Sequence, residues 1–369
     1  MNKKYFLFIL IIVFLHFSCS KTKQGDLLEI PVDIYPKTLL PLSEIVEDIT
    51  NIELEMTDES LINPDYIDRI IYLGSNIIVA GLNKILVFNG EGKFVRSIGS
   101  RGQGPGEYNS IQKIAIDEKN NHLYLVTNSP KKIICYDFTG KFLKESVNPI
   151  LGYIVDANFI NGELLVIDSK IDKVDEVGIY TRSMINRFSD DLQLIDSCIF
   201  RKNINNPTSP ISYFKPDFIL KSRGIVNVYC SELYMEEYAP REIVLRDTLY
   251  RIEKNKLIPE LKLKFKNDGI SGGNKFIDPS NIYRSSRYVF SIYENYTDKN
   301  RYYFCYDTKT RKGYNMQDGY IDDINKIDKP VKIRPFNHDT EMFYYLHTHM
   351  KPGDLEEPNP TLYIGKLKK

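Results

Sequence analysis

The chain has 369 residues, with 49 Lys+Arg against 49 Asp+Glu and no net charge, which removes any electrostatic case for nucleic acid. It carries 26 Tyr and 19 Phe but no Trp, and Tyr, Phe, Ile and Val suit half-buried pleated surfaces. The composition leans towards an all-β protein, and the length is ample for one or two domains.

The first residues read as an export signal. Lys3 and Lys4 form a positive start, and Tyr5 to Phe17 is apolar apart from His16. That run is shorter than the ~20 residues a membrane-spanning helix needs. Ser18-Cys19 closes it and resembles a bacterial lipoprotein cleavage site, although His16 stands where an aliphatic residue is usual. The other reading is an ordinary signal peptide with an incidental Cys. The resemblance implies a signal peptide over 1–18, a lipidated Cys19 with a flexible tether over 19–39, and one domain over 40–369. Ser20 to Asp26 is polar and small, as a tether requires. A lipidated chain belongs in the cell envelope, anchored to the outer membrane. The tether is basic, so the periplasmic and surface faces stay equally open.

The elements then follow in order. Ser43 is placed to cap a short turn over Glu44 to Glu47, and Ile49 to Glu55 alternates as a lone strand. Circular sheets are often closed by such a strand, paired with the other end of the chain. Ile67–Leu73, Ile77–Ala80, Ile85–Phe88 and Phe94–Ile98 make a first four-stranded unit. Its outer hairpin, Ile85-Leu-Val-Phe-Asn-Gly-Glu-Gly-Lys-Phe-Val-Arg96, returns as Ile133-Ile-Cys-Tyr-Asp-Phe-Thr-Gly-Lys-Phe-Leu-Lys144. Ile67 recurs at Ile111, 44 positions on, and Phe88 at Tyr136, 48 positions on. A period in the forties fits a β-propeller blade.

Later units are more worn. Val155–Ile160, Leu164–Ile167, Asn186–Phe188 and Leu192–Ile195 give a third. Ile225–Tyr229, Ile243–Leu245, Thr248–Ile252 and Leu261–Phe265 give a fourth. Tyr288–Tyr293 and Arg301–Asp307 belong to a fifth, Glu341–His347 and Thr361–Leu367 to a sixth. From Leu61 to Lys369 the 309 residues give about 51 per unit for six units, and seven smaller blades would leave no room for long loops. Two such loops are expected, over Asn203 to Pro216 and Asn267 to Pro279.

Ile98-Gly-Ser-Arg-Gly-Gln-Gly-Pro-Gly-Glu-Tyr108, Leu42-Ser-Glu-Ile-Val-Glu-Asp-Ile49, the Gly-Lys-Phe hairpins and Asn359-Pro-Thr-Leu-Tyr-Ile-Gly-Lys-Leu-Lys368 together resemble the six-bladed β-propeller lipoproteins of Bacteroidota, similar in outline to NHL-type propellers. The resemblance covers most of the chain and implies an all-β propeller of four-stranded antiparallel blades. It implies little about activity.

Several residues invite chemistry. Gly99 to Gly106 is rich in glycine but lacks the Gly-Lys-Ser/Thr and the helix of a phosphate loop, so it reads as a crossover between blades. Arg101, Glu107 and Tyr108 are its candidates for facing a ligand. His347 and His349 share one side of a strand, and with His338 they are candidates for zinc or another divalent metal, though spacing fixes no third ligand. No cofactor is otherwise expected. Asp117, Asp137 and Asp307 sit where Asx turns would form. Cys135, Cys198, Cys230 and Cys305 allow three pairings, but Cys135 and Cys305 both precede Tyr-Asp and read as equivalent positions too distant to bridge. Four small buried side chains is the favoured reading.

Two functional classes remain. The first is a non-enzymatic propeller that binds a glycan, a peptide or an envelope protein, meeting the membrane only through its lipid. The alternative is an envelope lyase or hydrolase with a metal or carboxylate site at the mouth of the channel.

Overall fold

Apolar strands buried on both faces build this molecule. The computed structural model describes residues 27–34, 38–149, 151–205, 218–229, 234–240, 247–253, 256–266, 277–295, 297–336, 338–350 and 357–369. Six antiparallel blades follow one another around an axis. Blade 1 comprises Ile67–Tyr72, Asn76–Gly81, Ile85–Asn89 and Phe94–Ile98. Blade 2 comprises Lys113–Asp117, His122–Asn128, Lys131–Asp137 and Phe142–Val147. Blade 3 comprises Tyr153–Ile160, Glu163–Val174, Ile179–Phe188 and Leu194–Asn205, with Tyr234–Pro240 added in parallel at its edge. Blade 4 comprises Ile219–Ser222, Ile225–Val228, Thr248–Glu253 and Lys256–Lys266. Blade 5 comprises Ile277–Arg284, Tyr288–Asn295, Asn300–Asp307 and Lys312–Met316. Blade 6 comprises Arg334–Pro335, Met342–His347 and Thr361–Leu367, and its outermost strand is Val46–Glu53.

Each blade buries both faces, so its strands read as continuous apolar runs rather than alternating ones. In blade 1, Ile78 and Ala80 pack towards blade 2 while Ile77 and Val79 pack towards blade 6. The period of two thus divides one run between two wedges. Six such wedges are filled among the described residues, one between each neighbouring pair.

The repeated hairpin has a common physical cause. Asn89 Oδ1 accepts from the backbone N–H groups of Glu91 and Lys93, and Asp137 Oδ1 from those of Thr139 and Lys141. Both turns then need a left-handed residue, which Gly92 (φ 83°) and Gly140 (φ 87°) supply. Asp117 and Asp307 also accept from backbone N–H groups two and three residues on. Burial alone would raise the Asp307 carboxyl, but Arg287 and those N–H groups bring it down to about 2. Cys135 and Cys305 occupy the third strands of blades 2 and 5, buried and free, while Cys230 lies outside the described residues.

Several expectations are corrected. The segment assigned to the tether, 19–39, contains the strand Leu28–Asp33, which pairs in parallel with Lys256–Lys266 and buries Ile30 and Val32 against blades 4 and 5. Cys19, the signal segment and the Ser20 to Asp26 stretch lie outside the described residues. Ser43 caps nothing: it lies inside the short helix Leu42–Ile45, and its hydroxyl donates to Asp323 at 2.5 Å. Blade 4 begins with Ile219–Ser222, ahead of the strand first expected, and Ile243–Leu245 falls outside the described residues. Blade 5 begins at Ile277, inside the expected loop, with Pro279 tolerated because the register shifts there.

The first strands of blades 1 to 4 touch one another about the axis. Arg69, 1% exposed, reaches from blade 1 to the carbonyls of Ile114 in blade 2 and Ala157 in blade 3, and pairs with Asp156 at 2.8 Å. The other Asp156 oxygen accepts from the N–H groups of Phe218 and Ile219, at 2.8 and 2.9 Å, at the start of blade 4. One ion pair thus ties four blades, with both Asp156 oxygens accepting hydrogen bonds.

Two stability measurements follow. Gly140→Ala should cost about 1–2 kcal/mol, the usual left-handed penalty, since its Cβ would meet nothing closer than 3.6 Å. Gly92→Ala should cost clearly more, because its Cβ would lie 2.1 Å from the Glu53 carbonyl on the closing strand. Equal losses in urea denaturation would contradict that docking. Asp156→Ala should cost about 3–5 kcal/mol, and Arg69→Met less, because three backbone N–H groups still hold the carboxylate. The reverse order would show that the ion pair, not the backbone contacts, joins the blades.

Candidate functional site

Strand alternation gives the disc two unlike faces. Links from first to second and from third to fourth strands lie on one, the link face. Links from second to third strands, and crossovers to the next blade, lie on the other, the crossover face.

The crossover holding Arg101, Glu107 and Tyr108 is heavily tied. Ser100–Arg101 pairs in parallel with Glu107–Tyr108, so the three do come together. The Tyr108 hydroxyl donates to the Ile98 carbonyl at 3.0 Å, and the Tyr136 hydroxyl to the Gly106 carbonyl at 2.6 Å. Burial pushes the Tyr108 phenol up to about 12. Lys132, buried, donates to the Gly104 carbonyl at 2.7 Å and lies 3.3 Å from Glu145. Glu107 accepts from the Gly104 N–H at 2.8 Å, and the absent Cβ of Gly102 leaves room for its carboxylate. Tyr108 is 2% exposed, which corrects the expectation that it faces a ligand. Only Arg101 of the three is exposed. The glycines serve a packed crossover.

The histidines separate into two places. His347 and His349 face each other with ring centroids 4.5 Å apart, at the crossover end of the second strand of blade 6. His349 Nε2 lies 2.8 Å from the Tyr363 hydroxyl, Tyr363 stacks on Tyr345 at 4.7 Å, and the Tyr345 hydroxyl donates to Asp322 at 2.5 Å. Burial, His349 and Lys329 together lower the His347 pKa. His338 precedes that same strand on the link face, near Glu118 at 4.0 Å. Burial lowers its pKa despite that carboxylate. The strand Met342–His347 separates the two places by roughly 16 Å at ~3.3 Å per residue. The three histidines therefore do not converge, which corrects their grouping as one metal set. Among the described residues no group of three or more His, Cys, Asp or Glu is arranged to hold a metal.

A third place has no counterpart in the sequence reading. A basin of about 700 Å³ opens on the crossover face, between the 294–301 link of blade 5 and the 317–333 crossover to blade 6. Lys299, Arg301, Lys329 and Lys332 line it, against Glu294 and Asp318. Glu294 is committed to Arg301 at 2.6 Å. Asn300 accepts from Gln317 at 2.9 Å, and Tyr303 forms part of the wall. Burial raises the Tyr303 pKa while Arg301 and Arg334 oppose it. The crossover is fixed from behind: the Ile321 N–H donates to the Leu40 carbonyl at 3.1 Å, and the Leu42 N–H to the Ile321 carbonyl at 2.8 Å. Asp322 holds Asn325 and Tyr345, and Tyr320 bridges Val331. Lys326, Lys329 and Lys332 recur at every third position, the one signal that could have pointed here.

Comparison with known proteins completes the picture. No curated protein matches the chain. A crystal structure of a Bacteroides fragilis protein described as exported shares the fold, with a TM-score of 0.62 and 16% identity over 92% of this chain and 100% of that chain. The WD40 domain of Neurospora crassa Pan2 gives 0.41 and 9% identity, covering 82% of this chain and 76% of that chain. Hydrazine synthase of Kuenenia stuttgartiensis gives 0.42 and 10%, covering 79% and 77%; neither adds to the assignment. Residues 28–363 match a family described as a domain of unknown function, DUF4934. That match runs from the strand at the edge of blade 4 to the third strand of blade 6, and the chain belongs to the DUF4934 family.

Proposed function

We propose that this protein is a binding propeller of the cell envelope, non-enzymatic, lipid-anchored to the outer membrane through Cys19. Its ligand site is the basin between blades 5 and 6. The observation that carries the reading is the wall of that basin. It combines amide side chains, a tyrosine and cations on two segments held in place by hydrogen bonds, in a volume within the usual ~300–1,000 Å³ of small-ligand sites. Of its two carboxylates, Glu294 is paired with Arg301, so the wall is suited to hold rather than to exchange protons. The arginine hub leaves the axis tied up in structure. The envelope assignment draws on the lysine-flanked apolar start and Cys19, and on the shared fold with a protein described as exported.

The anchor would also hold the disc close to the lipid. Leu28 pairs with Leu261, level with Leu249 near the crossover end of the third strand of blade 4. Nine positions separate Cys19 from Leu28, a reach of about 30 Å at most.

Two experiments test this. Cys19→Ala should move the protein from the membrane fraction to the soluble one; retention in the membrane would remove the lipid anchor. A panel of oligosaccharides and peptides, read by thermal shift, should yield a ligand whose stabilisation is lost in Arg301→Ala/Lys329→Ala. Stabilisation that survives the double change would place the site elsewhere.

A further inference from the structure

We propose that the basin takes an acidic oligosaccharide, held by sugar-borne carboxylate or sulfate groups. This rests on the reading of the basin as a ligand site. Once Arg301 is set against Glu294, three lysines remain on the wall, Lys299, Lys329 and Lys332, with Asp318 as the only other charge among the described residues. Three like charges around one concavity repel each other, and the concave wall concentrates their field on the space between. The field reaches beyond the basin, since Lys329 is one of the groups that disfavour protonation of His347. An anion entering the space relieves the repulsion and replaces water with charge-assisted hydrogen bonds.

The neutral part of the wall chooses between kinds of anion. Asn300 spends its Oδ1 on Gln317 and keeps its amide N–H groups, while Gln317 keeps its carbonyl oxygen. Paired donors and acceptors of this sort match the hydroxyls of a sugar. An acidic peptide would instead want an apolar pocket for a side chain or a free strand edge for its backbone. Among the described residues the basin offers neither: the second and third strands of blade 5 that flank it are paired on both sides, and Pro330 is the only aliphatic residue in its lining. The volume suits a short oligosaccharide rather than a folded partner.

The test is calorimetric titration of the full chain in detergent micelles with four probes: an oligogalacturonate, a chondroitin sulfate oligosaccharide, a maltooligosaccharide of matched length and an oligoglutamate. At least one acidic sugar should bind, and its affinity should fall about tenfold or more between about 50 and about 500 mM NaCl, as screening requires. Binding to one acidic sugar alone supports the proposal and tells carboxylate from sulfate. Lys299→Glu/Lys332→Glu should abolish it without lowering Tm, both positions being exposed, and Lys299→Gln/Lys332→Gln should weaken it. Equal or tighter binding of the neutral sugar, lost in the Glu variant, would overturn the acidic ligand while leaving the basin as a site. Oligoglutamate binding as tightly as the sugars would overturn it too. So would acidic-sugar binding that survives the Glu variant, or no binding of either acidic sugar at about 1 mM.

Discussion

Ring closure is the constraint on which everything else rests. A propeller of six blades has a seam, and here Val46–Glu53 fills it by pairing with Thr361–Leu367. Bringing together segments some three hundred residues apart costs loop entropy only once, because that cost grows slowly with length. The return is distributed. Ile52 and Leu54 enter the wedge between blades 6 and 1, and Leu42, Ile45 and Val46 enter the wedge between blades 5 and 6. Without the closing strand, two of the six wedges would lose one wall, and the third strand of blade 6 would become an open edge.

The same N-terminal segment reaches the candidate site. Between Leu28 and Glu53 it crosses from the edge of blade 4, past Asn315 of blade 5, to blade 6. On the way Leu40 and Leu42 grip Ile321, and Ser43 grips Asp323. Those contacts fix the crossover that carries Lys329 and Lys332. The basin is therefore shaped by the strap as much as by blade 5. A loop held from behind loses little conformational freedom when a ligand arrives, which favours affinity per contact.

Much of the fold was legible because it is governed by local rules. The hairpin echo at Gly92 and Gly140 reflects a turn that needs an Asx acceptor and a left-handed residue, and both leave residue-level signatures. The wedge packing leaves continuous apolar runs such as Ile77 to Ala80. Where tertiary context decided, the sequence was silent. Leu28–Asp33 stands outside the repeats and contains Pro31, and it forms a strand because blade 4 offers an edge and Ile30 and Val32 find a wedge. Ile277–Arg284 was hidden by the glycines before it and by Pro279, which the shifted register accommodates. Tyr108 looked available for binding because nothing in the sequence shows that its hydroxyl returns to Ile98.

The basin was illegible for a different reason. Its charge is invisible to any count, since the 317–333 stretch holds four aspartates against three lysines. Folding sorts them. Asp322 turns inward to Tyr345 and Asn325, and Asp323 turns to Ser43, while Lys329 and Lys332 line the cavity. Lys299 arrives from the other wall, about thirty residues earlier. A site of this kind is made by direction rather than by composition. Carboxylates are the more easily absorbed partner, because a short Asp side chain can accept several backbone and hydroxyl donors at once. A long ammonium stem keeps its head in water and stays available. A crossover with more aspartates than lysines thus gives the wall two of its cations, and the strap that takes up Asp323 is the one that closes the ring.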